Sequence, residues 1–168
     1  MRRVVITGLG LLTSIGNNVK DTWENLISCK SGIKKITKFD TKDLPCKIAG
    51  FISDSPKDEI FLDLNSLFET REIKRNDRFI IYGLVAAKEA IEDSGVDNLT
   101  EKQKIRTGIS VGSGIGGLET IYENSIILKN KGARRISPFF VPASLINLIS
   151  GKISIKYGYK GPNHSVVT

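Results

Sequence analysis

The stretch from Ile105 to Lys129 does most to narrow what this chain can fold into. An apolar run, Ile105 to Val111, leads into Gly112-Ser113-Gly114-Ile115-Gly116-Gly117, and a helical pattern follows from about Leu118 to Lys129. Strand, glycine turn and helix in that order open a crossover unit, and the rest of the chain keeps the alternation. Val4-Val5-Ile6 reads as a short first strand. Asn17 and Asn18 are good N-caps for a helix over Val19–Ser28, on which Val19, Trp23, Leu26 and Ile27 share one face. A strand is expected at Ile48–Ile52, and one short helix within the irregular stretch 54–68. A long helix follows over Asp77–Asp93, apolar nearly all round in its first half and ended by Ser94-Gly95. Another runs over Ala143–Tyr157, with Leu145, Ile149 and Ile153 at spacings of four, stopped by Gly158 and Gly161-Pro162. The fold class is therefore α/β with a largely parallel sheet. Only three or four strands are visible, which is thin for a complete doubly wound domain. The final Ser165-Val166-Val167-Thr168 reads as a strand heading for a core rather than a polar tail. The expectation is a chain cut inside a motif.

A length of 168 residues, 40% hydrophobic and 26% charged, is that of one ordinary globular domain, and no linker or repeat divides it. No apolar run has the length of a membrane span, and Met1-Arg2-Arg3 is not followed by a signal-peptide core, so a cytoplasmic protein without membrane partners is expected. Cys29 and Cys46 have neither metal spacing nor an activating neighbour in sequence, and read as unpaired thiols rather than as ligands or nucleophiles. The net charge of +7 is unevenly placed: no acidic residue follows Glu123, while Lys129, Lys131, Arg134, Arg135, Lys152, Lys156 and Lys160 do. Such asymmetry suggests an acidic partner. Nucleic acid is disfavoured, because the stretch reads as helix, turn and strand rather than as a basic arm; an acidic protein or a merely solvated basic face fits as well.

Gly112-x-Gly114-x-x-Gly117 between strand and helix also fits the dinucleotide-binding fingerprint. That reading requires an acidic residue some 20 positions on to hold the ribose, and none exists after Glu123. The alternative is that bare backbone approaches a neighbour closely while the lone large side chain, Ile115, projects into an interface or an apolar pocket. His164, the only histidine, has no acid or nucleophile near it in sequence and reads as a structurally satisfied residue.

Four segments in order carry a resemblance: residues 3–10 (Arg3-Val4-Val5-Ile6-Thr7-Gly8-Leu9-Gly10), the glycine loop 112–117, Ile136-Ser137-Pro138-Phe139-Phe140-Val141-Pro142, and Gly161-Pro162-Asn163-His164-Ser165-Val166-Val167-Thr168. Together they resemble the N-terminal part of the bacterial β-ketoacyl-acyl-carrier-protein synthases of type II, condensing enzymes of fatty-acid elongation, along the whole chain. The resemblance implies a thiolase-like fold, with residues 1–168 forming the first βαβαβ-type half, with inserted helices, of a layered αβαβα homodimer. It implies a decarboxylative condensation of acyl chains with malonyl units, both carried on the phosphopantetheine of acyl carrier protein, with no other cofactor and no metal. It places the nucleophilic cysteine two positions past Thr168 and the catalytic histidines and lysine further on, so no catalytic residue is expected in these 168 and the chain alone should be inactive. Ile115 matches the gate of the acyl pocket and Phe140 its wall. Arg71, Lys74 and Arg75 match one basic cluster for the acidic helix of the carrier protein, with Lys74-Arg75 swapped relative to the family's commonest order; Arg134 and Arg135 match another. Two other readings remain at this point: a non-catalytic docking or dimerisation module, and the dinucleotide-binding oxidoreductase.

Overall fold

The computed structural model describes residues 3–167. Its elements in order are α1 (Val19–Ile27), β1 (Ile33–Lys35), β2 (Ile48–Gly50), α2 (Leu64–Leu67), α3 (Thr70–Arg75), α4 (Arg78–Ser94), α5 (Glu101–Arg106), β3 (Ile109–Gly112), α6 (Leu118–Lys131), α7 (Phe140–Ser144), α8 (Asn147–Tyr157) and β4 (Asn163–Val166), with short 3-10 turns at Val96–Asn98 and Ala133–Arg135. The four strands form two separate pairs. β1 and β2 are antiparallel, with Lys34 opposite Ala49. β3 and β4 are parallel, with Ile109 opposite Asn163 and Gly112 opposite Val166.

The core lies where the sequence is apolar at helical spacing. Ile80, Leu84 and Ile91 of α4 meet Ile149 and Ile153 of α8 and Tyr159, and Ile109 and Val111 of β3 pack against this cluster. Gly83 lets α4 and α8 approach: a Cβ there would lie 1.9 Å from Cδ1 of Ile149. Asp77 caps α4 by accepting from Phe79 N, and Gly95 ends it with φ 69°, as expected of a left-handed cap. β4 is held to α8 by polar contacts that periodicity does not reveal. Fully buried Ser150 shares a hydroxyl–hydroxyl bond of 2.9 Å with Ser165, and Asn163 Nδ2 donates to Ser150 O at 3.2 Å.

Several expectations are corrected. Val4–Ile6 is no strand: these residues have no ladder partner among the described residues, and Val4 and Ile6 are exposed. The chain just after them is instead pinned along α4, where Leu9 N donates to Asp93 and Leu11 N to Glu89, both at 2.9 Å. At Gly10 a Cβ would stand 2.0 Å from Ala86 O, so only glycine permits that approach. The second strand starts at Ile109 rather than Ile105, because a capping box of Thr100 and Gln103 draws Ile105 and Arg106 into α5. The expected helix 143–157 is two: α7 starts earlier, at Phe140, and exposed Leu145 sits in the break before α8. The apolar face of α1 does not enter the core. Trp23, Leu26 and Ile27 are exposed, while Thr22 is buried against Gly16 and bonds Thr13 through the hydroxyls at 3.1 Å. The sheet is parallel only in its second pair.

Candidate functional site

The glycine loop leaves β3, turns through Gly116 at φ 80°, and enters α6 at Gly117. Gly117 N donates to Ser144 O at the end of α7 (3.0 Å), and a Cβ on Gly117 would stand 2.6 Å from Ser144 Cα. The glycines therefore serve close packing of loop on α7. Ile115 stands 65% exposed on this loop. Phe140, half-buried, opens α7 on the other side of the junction. The structure thus makes loop and α7 contiguous. The roughly 550 Å³ cleft between α4, α8 and β3 is lined by neither Ile115 nor Phe140.

The start of α6 also decides the dinucleotide reading. A nucleotide-binding turn offers its free helix N–H groups to a pyrophosphate. Here most are already taken: Gly117 N donates to Ser144 O, Leu118 N to Gly116 O, and Thr120 N to Oδ2 of Asp77 at 2.9 Å. Asp77 is buried (6% exposed) and caps two helices at once, α4 through Oδ1 and α6 through Oδ2. A fixed carboxylate occupies the place where the phosphate charge would sit. Sequence reasoning found Asp77 only as the start of the long helix; its second role depends on a residue 43 positions away.

The two basic clusters are linked through one segment of chain. Arg71, Lys74 and Arg75 lie on α3, and Arg134 and Arg135 on the 3-10 turn after α6. The guanidinium of Arg75 lies 4.2 Å over the ring of Phe139, joining α3 to the segment that follows Arg135. Arg71, Lys74, Arg134 and Arg135 are exposed, and none of the five has a carboxylate within ion-pair distance among the described residues. Arg78, three residues after Arg75, behaves differently. It bonds Asp54 at 2.6 Å and lies 3.4 Å from Glu119. Burial opposes its charge, but the Tyr82 hydroxyl and the Asp54 carboxylate outweigh burial and raise its pKa; the Arg78 hydrogen bond in turn holds Asp54 below the usual carboxylate range.

The remaining sequence candidates stay apart. His164 is exposed on β4 and its ring makes no hydrogen bond among the described residues, so it is not the satisfied structural residue expected. Both Cys29 and Cys46 are exposed free thiols. No group of three or more metal-ligating side chains occurs among the described residues, and none of their helices is long and apolar enough to cross a membrane.

With this geometry in hand, comparison with known proteins is informative. Residues 1–168 match the model of the β-ketoacyl synthase N-terminal domain. The chain belongs to this family. The chain is 45% identical over 99% of its length to the 3-oxoacyl-acyl-carrier-protein synthase 2 of Coxiella burnetii, covering 38% of that protein. It is 42% identical over its full length to the enzyme of the same name from Rhizobium meliloti, covering 40% of it. It thus spans about two-fifths of the length of these relatives. Among solved structures, the ishigamide ketosynthase/chain length factor aligns over 99% of the chain and 40% of its own, at 25% identity and a TM-score of 0.78. The fold is that of the N-terminal half of the thiolase-like ketosynthases, and the oxidoreductase reading falls.

Proposed function

We propose that this chain is the N-terminal portion of a 3-oxoacyl-acyl-carrier-protein synthase 2, and that its part in the condensation is to dock the carrier protein and to wall the acyl pocket. The observation that carries this reading is the pair of basic clusters. Five cations without a carboxylate partner among the described residues stand on two elements, α3 and the Ala133–Arg135 turn, and α3 is tied through Arg75 and Phe139 to the segment that follows that turn. Solvated cations of this kind add little to stability, yet they raise encounter rates with an acidic partner. The relatives' names specify acyl carrier protein as the carrier of their substrate. Ile115 then gates the pocket and Phe140 lines it, on the two sides of the Gly117–Ser144 junction.

The chemistry of a condensing enzyme needs a thiolate nucleophile and a hole for the oxyanion. In this reading the cysteine that supplies the first follows β4, beyond Thr168, and the 168 residues alone bind without turning over. Assembly as a homodimer in the cytoplasm, and substrates delivered on phosphopantetheine with no further cofactor, belong to the same reading. The exposed Val166 and Ile115 are apolar surface that a dimer would cover. The reading is tested by incubating the 168-residue chain with acyl-carrier protein and malonyl-carrier protein and following both binding and 3-oxoacyl product. Saturable binding without product is expected. Turnover by the chain alone, or no binding at all, would overturn it.

A further inference from the structure

A closed ring of contacts ties the two basic clusters together. Beginning at the first cluster, Arg75 lies on the ring of Phe139, and Phe139 N donates to Ser137 Oγ at 3.2 Å, fixing the turn that carries that ring. Ser137 N donates to Oδ1 of Asn124 at 3.2 Å. Asn124, buried on α6 (8% exposed), donates from Nδ2 to Thr120 O at 2.9 Å. Thr120 N donates to Asp77, itself buried and only two residues after Arg75 in sequence. The circuit therefore leaves α3, crosses the 136–139 segment, climbs one turn of α6 and returns to the start of α4. Every polar step uses a backbone group, so each step fixes the chain's course rather than the position of one flexible side chain.

This circuit is more than the folding of α6 requires. An asparagine is a poor choice for a buried helix position unless its amide has fixed partners. Asn124 uses its carbonyl on the segment just past Arg134 and Arg135, not within its own helix. The guanidinium over the Phe139 ring holds α3 against that same segment, and a lysine cannot replace it in the same way, because a planar guanidinium can spread over an aromatic face and a compact ammonium cannot. Arg75 is the half-buried member of its cluster, while Arg71 and Lys74 project outward.

We propose that Asn124, Phe139 and Arg75 are positioning residues of the docking face: they preset the separation of the two basic clusters, so that both engage one acidic partner together without a loop having to order first. The inference rests on the carrier-docking reading above. In this picture Arg75 contributes chiefly through its stack. Arg71 and Lys74 on one side, and Arg134 and Arg135 on the other, supply the charge. Phe140 directly follows Phe139, so the same frame also sets where the pocket wall begins.

The test is a titration of the 168-residue chain with fluorescently labelled holo acyl carrier protein at low and at physiological salt. Arg75→Lys keeps the charge and loses the guanidinium's contact with the ring; binding about 3-fold weaker is expected, from the strength of an exposed cation–π contact. Phe139→Leu should weaken binding about as much and Phe139→Tyr should restore it, although neither changes a charge. Combined with Phe139→Leu, Arg75→Lys should cost nothing further, since both remove one contact. A second measurement needs no variant: hydrogen exchange on the parent chain should find the Ser137 and Thr120 amides slow, and rapid exchange at Ser137 would overturn the frame even if a variant failed to fold. If Arg71→Gln and Arg135→Gln weaken binding but Arg75→Lys and Phe139→Leu leave it unchanged, the positioning role is wrong and the docking reading stands. If Arg71→Gln and Arg135→Gln also leave it unchanged, the docking reading itself is wrong.

Discussion

Residues 3–67 and residues 77–166 are built on different physics, although their sequences are similarly apolar. In the second region α4, α8, β3 and Tyr159 converge on one cluster of buried side chains. In the first, the chain is held mainly by polar contacts. Glu89 accepts from Leu11 N and Val19 N, Asp93 from Leu9 N, Asn17 donates to Phe61 O, and Asn25 to Ile15 O. Trp23, Leu26, Ile27, Val4 and Ile6 stay outside. The difference shows that an apolar stripe becomes a core only where a second stripe meets it. α4 and α8 meet at Gly83; α1 instead packs its polar Thr22 against Gly16 and Thr13.

The contrast can be broken first at its strongest point. Ile80→Ala, at a side chain with no exposure, should cost roughly 3 kcal/mol in chemical denaturation, within the range for buried isoleucine truncations. A loss below about 1 kcal/mol would mean that the α4–α8 cluster is not where stability resides. Asp77→Ala should cost about 2 kcal/mol, since it removes one cap from each of two helices and leaves buried N–H groups unpaired. If α6 were held by its glycine loop alone, only the cost of the α4 cap, nearer 1 kcal/mol, would appear.

Tyr159 separates the regions by pH. Burial, with a smaller contribution from Asp97, raises its pKa above the ordinary 10.0, and its hydroxyl donates to Val96 O at 3.0 Å. A group with a raised folded pKa stabilises the fold fully below its unfolded value. That contribution is lost as pH climbs from about 10 through the higher folded value. Thermal melts should therefore fall above pH about 10, and Tyr159→Phe should flatten that fall while costing about 1 kcal/mol at neutral pH. An unchanged alkaline limb in the variant would place the sensitivity elsewhere. The smallest effect is expected at the largest exposed side chain. Trp23→Ala should change stability by no more than about 0.5 kcal/mol, and a loss comparable to that of Ile80→Ala would show that the α1 face is covered in the folded chain.

Legibility in the sequence follows the same division. The caps Asn18, Gly95 and Gly158 are local chemistry and stand where the sequence puts them, while Asp77, expected as the first residue of the long helix, is its N-cap. Ile149 and Ile153 are buried as their spacing requires. Val4–Ile6 reads as a strand and is not one, because β-branched composition says nothing about whether a ladder partner lies alongside. The break at Leu145 leaves no mark in the sequence, because helical spacing continues across it even though the backbone does not. At the site, the five basic residues were legible from charge and resemblance. Their junction was not: the Arg75–Phe139 stack and the Asn124–Ser137 bond join residues 64 and 13 positions apart, and no local pattern marks either. The double cap of Asp77, which removes the phosphate seat from the glycine loop, was hidden for the same reason.

Salt-dependent binding of acyl carrier protein bears most directly on the docking face. The parent chain and a variant carrying Arg71→Gln, Lys74→Gln, Arg134→Gln and Arg135→Gln are titrated with the same holo carrier protein across a salt series. Saturable binding by the parent that weakens steeply with salt is expected, with at least about a 10-fold loss in the variant at low salt, as four screened contacts of several tenths of a kcal/mol each would give. Equal, salt-independent binding by both proteins would contradict the docking reading.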